Sequence, residues 1–204
     1  ASGGNKTRKL ETLLAVALAG GADTLVTVGA PQSNHCRQTA AAAAKAGLRC
    51  VLVLGGNAPM LDGGNLLLDR LLGAEIVWAG PRDRLAVLDE TVDAERAAGR
   101  RPYTITYGGS SPVGAAAYAM AVQETLDQLT AAGQRADHMV VASSSGGTQA
   151  GMMVGAWAGG YAGQVHGISI DRTANEFAPS LDALASETAQ MLGIDKVFLP
   201  DDMI

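Results

Sequence analysis

The stretch ADTLVTVGAPQSNHCRQTAAAAAKAGLRCVLVLGG, residues 22–56, decides the fold. It opens with a short apolar run rich in β-branched residues, continues with a long alanine-rich segment, and closes with a second apolar run. Short β-branched runs are typical of strands, and the alanine-rich segment is typical of a helix. The residues therefore predict a strand, a helix and a second strand, which is the repeating unit of a parallel sheet covered by helices.

The same alternation continues on both sides of this stretch. Further strands are predicted at AEIVWAG, RPYTITYGG, ADHMVVASSS, QVHGISID and KVFLP. Further helices are predicted at ETLLAVALAGG, GGNLLLDRLLG, RDRLAVLDETVDAERAAG, AAAYAMAVQETLDQLTAAG, GGTQAGMMVGAWAGG and APSLDALASETAQMLG. The sequence therefore predicts the α/β class, with two open parallel-sheet lobes of βα units.

The cluster GGSSPVG, residues 108–114, separates two series of these units. We expect residues 10–110 to form a smaller lobe, and residues 1–9 and 111–204 to belong to a larger one. The chain begins without an initiator methionine and ends in the predicted strand KVFLP. We therefore expect a fragment that is incomplete at its N- and C-termini.

Composition restricts the classes of partner. The chain has 204 residues, of which 48% are hydrophobic and 17% charged, enough to bury a core. The formal net charge of −5 without a run of one sign argues against nucleic acid and anionic membranes. No apolar run reaches the roughly 20 residues that span a bilayer, and no signal-peptide pattern opens the chain. Cys36 and Cys50 lack metal-ligand spacing, so we expect buried thiols, no metal and a cytoplasmic setting.

Three junctions between strands and helices are candidate ligand sites, because anions bind where helix N-termini follow parallel strands. The first runs from Gly29 to Asn34, with Ser33 as the expected N-cap, and a plain capped loop explains it equally well. The second, Ala142–Thr148, is rich in serine and glycine, which suits a phosphate, but it lacks the lysine of a nucleotide-binding P-loop. The third, Gly108–Gly114, we expect to be a hinge.

A fourth candidate is Lys6 in GGNKTRKLE, residues 3–11, where a glycine turn enters a helix. Partial burial and the helix dipole disfavour the ammonium form of such a lysine and so favour bond formation with a carbonyl. We expect Arg8 and Lys9 to be surface charges. A phosphate cradle, a carboxylate site and a reactive amine together are what an enzyme using pyridoxal 5'-phosphate needs.

The motifs GGNKTRKLE, QSNHCRQTA, GGNLLLDRLLGAE, RPYTITYGGSSPVGA and SSGGTQAGMMVG, in this order, resemble one family across essentially the whole chain. It is the D-cysteine desulfhydrase and 1-aminocyclopropane-1-carboxylate deaminase family, within the tryptophan-synthase-β-like, fold type II, pyridoxal-phosphate enzymes. The resemblance implies a homodimer that acts on a small amino acid. It also implies that the family's segments before Lys6 and after Ile204 are lacking here, which would leave the pocket open on one side.

The resemblance also implies roles for individual residues. Lys6 would be the catalytic lysine that bonds to the cofactor, and Asn34 would hydrogen-bond the phenolic oxygen of the cofactor. The cofactor phosphate would be held by Ser145, Gly146, Gly147 and Thr148. The substrate carboxylate would be met by Ser33, Asn34 and His35.

His35 bears on the choice of substrate. Ring-opening deaminases of the family tend to carry QSNQ where this chain has QSNH, so His35 favours a carbon–sulfur lyase. The expected reaction is β-elimination from D-cysteine, giving pyruvate, ammonia and hydrogen sulfide. The alternatives are 1-aminocyclopropane-1-carboxylate deaminase and L-cysteate sulfo-lyase. An alternative from a different class is a cofactor-free α/β module that binds a phosphorylated metabolite.

Overall fold

A computed structural model describes residues 3–61 and 63–202. The chain divides into two compact units, Ala1–Gly109 and Ser110–Ile204, so the division falls inside the GGSSPVG stretch. Each unit combines parallel strands with helices, which confirms the predicted α/β class.

The first unit alternates helices and strands along its length. Its elements are α1 (Lys6–Ala19), β1 (Thr24–Gly29), α2 (Asn34–Ala46), β2 (Arg49–Leu54), α3 (Gly64–Leu71), β3 (Glu75–Trp78), α4 (Arg84–Ala97), β4 (Pro102–Ile105) and a 3₁₀ turn (Tyr107–Gly109). The four strands are parallel and lie in the order β3, β2, β1, β4. β1 is buried throughout and β2 in all but its first residue, as expected for central strands covered on both faces.

The two faces of this sheet pack against different helices. Val26 and Val28 of β1 belong to one apolar cluster with Val87, Leu88 and Val92 of α4. Thr27, which alternates with the two valines, bonds to His35 of α2. Because successive side chains of a strand point to opposite faces, α4 covers one face and α2 the other.

The described part of the second unit, up to residue 202, has two strands and three long helices. Its elements are α5 (Pro112–Ala131), β5 (His138–Ser143), α6 (Gly147–Ala158), β6 (Gln164–Ser169), α7 (Ala174–Met191) and a 3₁₀ turn (Pro200–Asp202). β5 and β6 are parallel. α5 and α6 approach closely, since a Cβ on Gly151 would lie 2.0 Å from the carbonyl oxygen of Ala115. Side chains larger than glycine would force these two helices apart.

The prediction of a final strand at KVFLP is wrong. These residues form no strand, because their backbone bonds to groups other than a neighbouring strand. The amide of Phe198 donates to the Ser186 hydroxyl on α7 at 2.9 Å, and that of Leu199 donates to Asp202 at 2.8 Å. The buried ring of Phe198 packs with the α7 core.

The structure also differs from the predicted lobes at the start of the chain. Of residues 1–9, expected in the larger lobe, those that the structure describes are grouped with the first unit. Thr7 donates to Gln38 of α2 at 2.9 Å, and Lys9 donates to the carbonyl of Gly108 at 3.2 Å. The wider assignment of lobes stays a prediction.

A buried carboxyl group lies on α3. Asp69 is 0% exposed, and neither of its oxygens has a hydrogen-bond partner among the residues that the structure describes. Burial raises the pKa of Asp69 to about 7, although the charge of Arg37 opposes this shift. The carboxyl group is therefore an ionisable group that prefers to stay neutral in the folded unit.

We predict that Asp69 makes the folded protein less stable as the pH rises. Between about pH 4 and 7 the unfolded chain releases this proton while the folded chain keeps it, so the free energy of unfolding falls as the pH rises. Urea unfolding of the wild type and Asp69→Asn at pH 4.5 and 7.5 measures the effect. The variant should lose most of this pH dependence, and exposed Asp89→Asn is the control. Equal pH dependence in wild type and Asp69→Asn would contradict the prediction.

Candidate active site

The loop between β1 and α2 is built around Ser33. Its backbone is extended, with φ −65° and ψ 121°, and its hydroxyl accepts a hydrogen bond from the amide of Cys36 at 3.2 Å. The structure thus confirms Ser33 as the N-cap of α2. The first turn of α2 therefore lies beyond the carboxyl end of β1, where helix amides can bind an anion.

Asn34 is the first residue of α2, and its side chain is exposed. Its Oδ1 accepts a hydrogen bond at 3.0 Å from Asn65, which is itself held by Gln32. Because the oxygen is engaged, the amide NH₂ of Asn34 is left to act as a donor. A donor is what the expected bond to a phenolic oxygen requires, so the structure is compatible with this role, which stays a prediction.

Lys6 begins α1 and is half-buried. Burial lowers the pKa of its amine below the ordinary lysine value of 10.5. A lowered pKa increases the neutral fraction of an amine, and only the neutral form attacks a carbonyl. The position and the shift agree with the role expected for Lys6.

Lys9 lies one turn further along α1, and the expectation that it is a surface charge is wrong. It is 1% exposed, and its Nζ donates to the carbonyl oxygen of Gly108 at 3.2 Å. Burial, followed by the positive charge of Lys6, lowers the pKa of Lys9 to about 7. The sequence carried a signal for this, because Lys9, Leu13 and Ala17 recur at the helical spacing and share the buried stripe of α1.

His35 follows Asn34 on α2 and is 3% exposed. Its Nε2 lies 2.9 Å from the hydroxyl oxygen of Thr27 on β1. Burial, followed by the charges of Lys6 and Lys9, lowers the pKa of His35 to about 3, so the ring is neutral at physiological pH. Lys6, Lys9 and His35 thus form one electrostatically connected group in the first unit. Sequence reasoning missed Thr27, because a threonine in a buried strand carries no distinctive signal.

The second unit contains the predicted phosphate cradle, at the carboxyl end of β5. The N-cap of α6 is Gly146, which has a φ of 86° and no side chain that could occupy the helix N-terminus. A Cβ there would lie 3.2 Å from the ring of Phe177. The hydroxyls of Ser143 and Thr148 are buried and have no partner among the described residues. Two such hydroxyls beside a helix N-terminus fit a phosphate group.

Neighbouring side chains hold the rest of this loop. Ser110 donates to the hydroxyl of Ser145 at 2.8 Å and accepts from the amide of Gly147 at 3.0 Å. The hydroxyl of Ser144 donates to Asp171 at 2.7 Å. Ser110 belongs to the GGSSPVG stretch, which sequence reasoning interpreted only as a hinge, so its contact with the loop was missed.

The residues expected to hold pyridoxal 5'-phosphate are divided between the two units. Lys6 and Asn34 lie in the first unit, and Ser145, Gly146, Gly147 and Thr148 in the second. Within residues 3–61 and 63–202, no group of three or more histidine, cysteine, aspartate or glutamate side chains could hold a metal ion. No helix in these ranges is long and apolar enough to cross a membrane.

Known proteins match this chain over nearly its whole length. The family described as pyridoxal-phosphate dependent enzyme matches residues 1–201. A 1-aminocyclopropane-1-carboxylate deaminase of Burkholderia cenocepacia is 38% identical over 213 residues, covering 100% of this chain and 63% of the relative. The crystal structure of an ACC deaminase homologue is 40% identical with a TM-score of 0.85, covering 97% of this chain and 60% of that one.

A more distant structural match is a hydrogen sulfide-producing enzyme of Fusobacterium nucleatum. It is 16% identical with a TM-score of 0.67, and the match covers 99% of this chain and 59% of that one. At this identity the likeness shows the fold alone. The chain spans less than two thirds of the length of the relatives it matches. Because the family match extends over residues 1–201, the chain belongs to the family of pyridoxal-phosphate dependent enzymes.

Proposed function

We propose that the protein is a pyridoxal-phosphate dependent enzyme that releases ammonia from a small amino acid, with 1-aminocyclopropane-1-carboxylate as the first candidate substrate. The relatives at 38% identity bear the name of this deaminase, which supports it over the expected D-cysteine. The observation that carries the proposal is the half-buried Lys6 amine, with its lowered pKa, in the same unit as the Ser33-capped N-terminus of α2.

The residues of the first unit would have separate roles in binding the substrate and the cofactor. The amides at the start of α2 would bind the substrate carboxylate, because they carry the positive end of the helix dipole. Asn34 would orient the cofactor through its NH₂ group, and Lys6 would be the attachment point. When bound, pyridoxal phosphate supplies an electron sink that stabilises negative charge on the substrate carbon.

The loop of the second unit would hold the phosphate. Thr148 would donate its unpartnered hydroxyl, and the amides of Gly146 and Gly147 would contribute the helix N-terminus. Ser110 now accepts from the Gly147 amide, so phosphate binding there would require this serine to turn its hydroxyl away or to donate to the phosphate itself. Ser145, which accepts from Ser110, would reorient with it.

Lys6 and Lys9 are both candidates for the lysine that bonds to the cofactor. The pKa favours Lys9, and accessibility favours Lys6. The pKa of Lys9, about 7, gives it the larger neutral fraction at neutral pH. However, Lys9 is 1% exposed and its amine is bonded to Gly108, whereas Lys6 is only half-buried. Accessibility favours Lys6, because an amine must reach the carbonyl before its protonation state matters.

We predict that the cofactor bonds to Lys6. Borohydride reduction of the cofactor-loaded protein, followed by peptide mass spectrometry, should place a pyridoxyl group on Lys6. Lys6→Ala should abolish this adduct and the accompanying visible absorbance, and Lys45→Gln is the control at an exposed lysine. A pyridoxyl group on Lys9 or Lys45 would overturn the assignment. Absence of any adduct would instead support a cofactor-free module.

A second candidate substrate is D-cysteine, and His35 is the observation that favours it. Histidine replaces the glutamine of the deaminase-like motif at the start of α2, where the substrate carboxylate would bind. L-cysteate shares the sulfur leaving group and is tested beside D-cysteine. His35 is buried rather than on the helix surface, so a role at the site requires it to act from within the core of the first unit.

We predict a substrate order that His35 influences. The wild type should release ammonia fastest from 1-aminocyclopropane-1-carboxylate. Faster release from D-cysteine or L-cysteate, with sulfide or sulfite as the second product, would favour the second candidate. For the sulfur substrates, His35→Gln should lower kcat/KM about tenfold, because a contact made in the transition state is lost. Cofactor affinity should stay unchanged. Equal kcat/KM values on D-cysteine would refute the role of His35.

The remaining properties are proposals of the same kind. We expect a homodimer in the cytoplasm that acts on a small amino acid and does not bind nucleic acid, because the net charge of −5 gives no basic surface stretch in the sequence. The alternative of a cofactor-free module is disfavoured by the family match over residues 1–201.

A further inference from the structure

The hydroxyl group of Thr27 lies between two groups of the first unit. Its oxygen is 2.7 Å from the carbonyl oxygen of Ile105, the last residue of β4, and 2.9 Å from Nε2 of His35 on α2. Thr27 is 0% exposed, and all three groups are buried. The hydroxyl therefore connects the sheet to the helix that carries the candidate site residues.

The number of available protons fixes the direction of both bonds. A carbonyl oxygen can only accept, so the single proton of the Thr27 hydroxyl is donated to Ile105. The oxygen of Thr27 must then accept from His35, which requires the proton of the imidazole to be on Nε2. A neutral imidazole carries one proton, so Nδ1 is an acceptor.

Nδ1 of His35 is a buried acceptor without a hydrogen-bond partner in the described part of the chain. Beside it, Cε1 of the ring and the side chain of Lys9 both border Gly109, where a Cβ would lie 3.4 Å from Cε1 and 3.5 Å from Cδ of Lys9. The charges of Lys6 and Lys9 act on the ring. Unpartnered buried acceptors are uncommon in folded proteins and cost free energy, so this one calls for an explanation.

We propose that Thr27 is a positioning residue, which holds His35 in the Nε2–H tautomer and so presents Nδ1 as an acceptor for an ammonium N–H. That donor is the group that Lys6 carries and that every α-amino acid substrate brings. The inference rests on the proposed function only in this last step, because the tautomer is a property of the protein alone. In this role His35 accepts a hydrogen bond at the site, while its Nε2–H is donated to Thr27.

Histidine NMR on protein labelled with ¹⁵N in its histidine rings tests the tautomer. In the wild type, His35 should show one neutral tautomer, with a proton on Nε2 that is protected against exchange with solvent. Thr27→Ser keeps the hydroxyl and should preserve this signal. Thr27→Val removes the acceptor, so the Nε2 proton should shift upfield and exchange at least about tenfold faster. Thr24→Val, at another fully buried threonine of β1, is the matched control.

Two results would overturn the proposal. One is a wild-type proton on Nδ1, which would mean that Thr27 donates to His35. The other is an Nε2 proton with the same shift and exchange rate in Thr27→Val as in the wild type. Circular dichroism of each variant checks that the fold is retained. If Thr27→Val does not fold, Thr27→Ser tests the proposal instead, because loss of the protected Nε2 proton in that variant would refute the assignment.

Turnover provides a separate test. In Thr27→Val, kcat/KM on the substrate that the wild type prefers should fall roughly fivefold, with cofactor affinity unchanged and with recovery in Thr27→Ser. Unchanged kcat/KM in Thr27→Val would overturn the positioning role. If the wild type releases ammonia from none of the three substrates, the proposed function fails, while the NMR result still decides the tautomer.

Discussion

The hydrogen bond from Lys9 to the carbonyl of Gly108 is the constraint on which the candidate site of the first unit depends. It joins two residues 99 positions apart and ties α1 to the turn that follows β4. For this bond to form, the turn must approach α1 closely. It does so at Gly109, where φ is 63° and a Cβ would lie 3.2 Å from Leu13 of α1. Lys6 lies one turn from Lys9 on the same helix, so this bond sets the place of the candidate cofactor lysine.

The same arrangement controls the charges of the site. Lys6, Lys9 and His35 are all basic groups, and burial lowers the pKa of each. The charge of Lys6 also lowers the pKa of Lys9, and the charges of both lysines lower the pKa of His35, because like charges nearby penalise the protonated form. The ring of His35 is therefore neutral at physiological pH, and the neutral fraction of both amines is larger than for an ordinary lysine. The neutral fraction of Lys6 can attack a carbonyl, its ammonium fraction can donate a hydrogen bond, and neutral His35 can accept one.

Much of the fold could be predicted from the sequence, because it depends on local patterns. The β-branched runs at Thr24–Gly29 and Arg49–Leu54 and the alanine-rich helix between them gave the parallel pairing directly. KVFLP has the same composition as a strand, yet its backbone is bound by Ser186 and Asp202. A strand and the irregular segment KVFLP therefore look alike in sequence. Only the groups that bond to the backbone in the folded chain distinguish them.

Residues of the candidate site could be predicted where a sequence motif identifies them. They could not be predicted where their role depends on burial in the folded chain. Ser33 is recognisable as an N-cap from its place before an apolar helix. Lys9 was misjudged because its charge was given more weight than its helical phase with Leu13. Thr27 could not be found from sequence, because its importance comes from the proximity of His35 and Ile105, two residues that other elements bring to it.

Lys9 is a buried amine, and burial lowers its pKa to about 7. Direct NMR titration of lysine Nζ, with Lys9→Gln used to assign the resonance, tests this claim. We predict that Lys9 titrates near pH 7, far below the ordinary value of 10.5. A Lys9 amine that stays protonated up to pH 10 would contradict it.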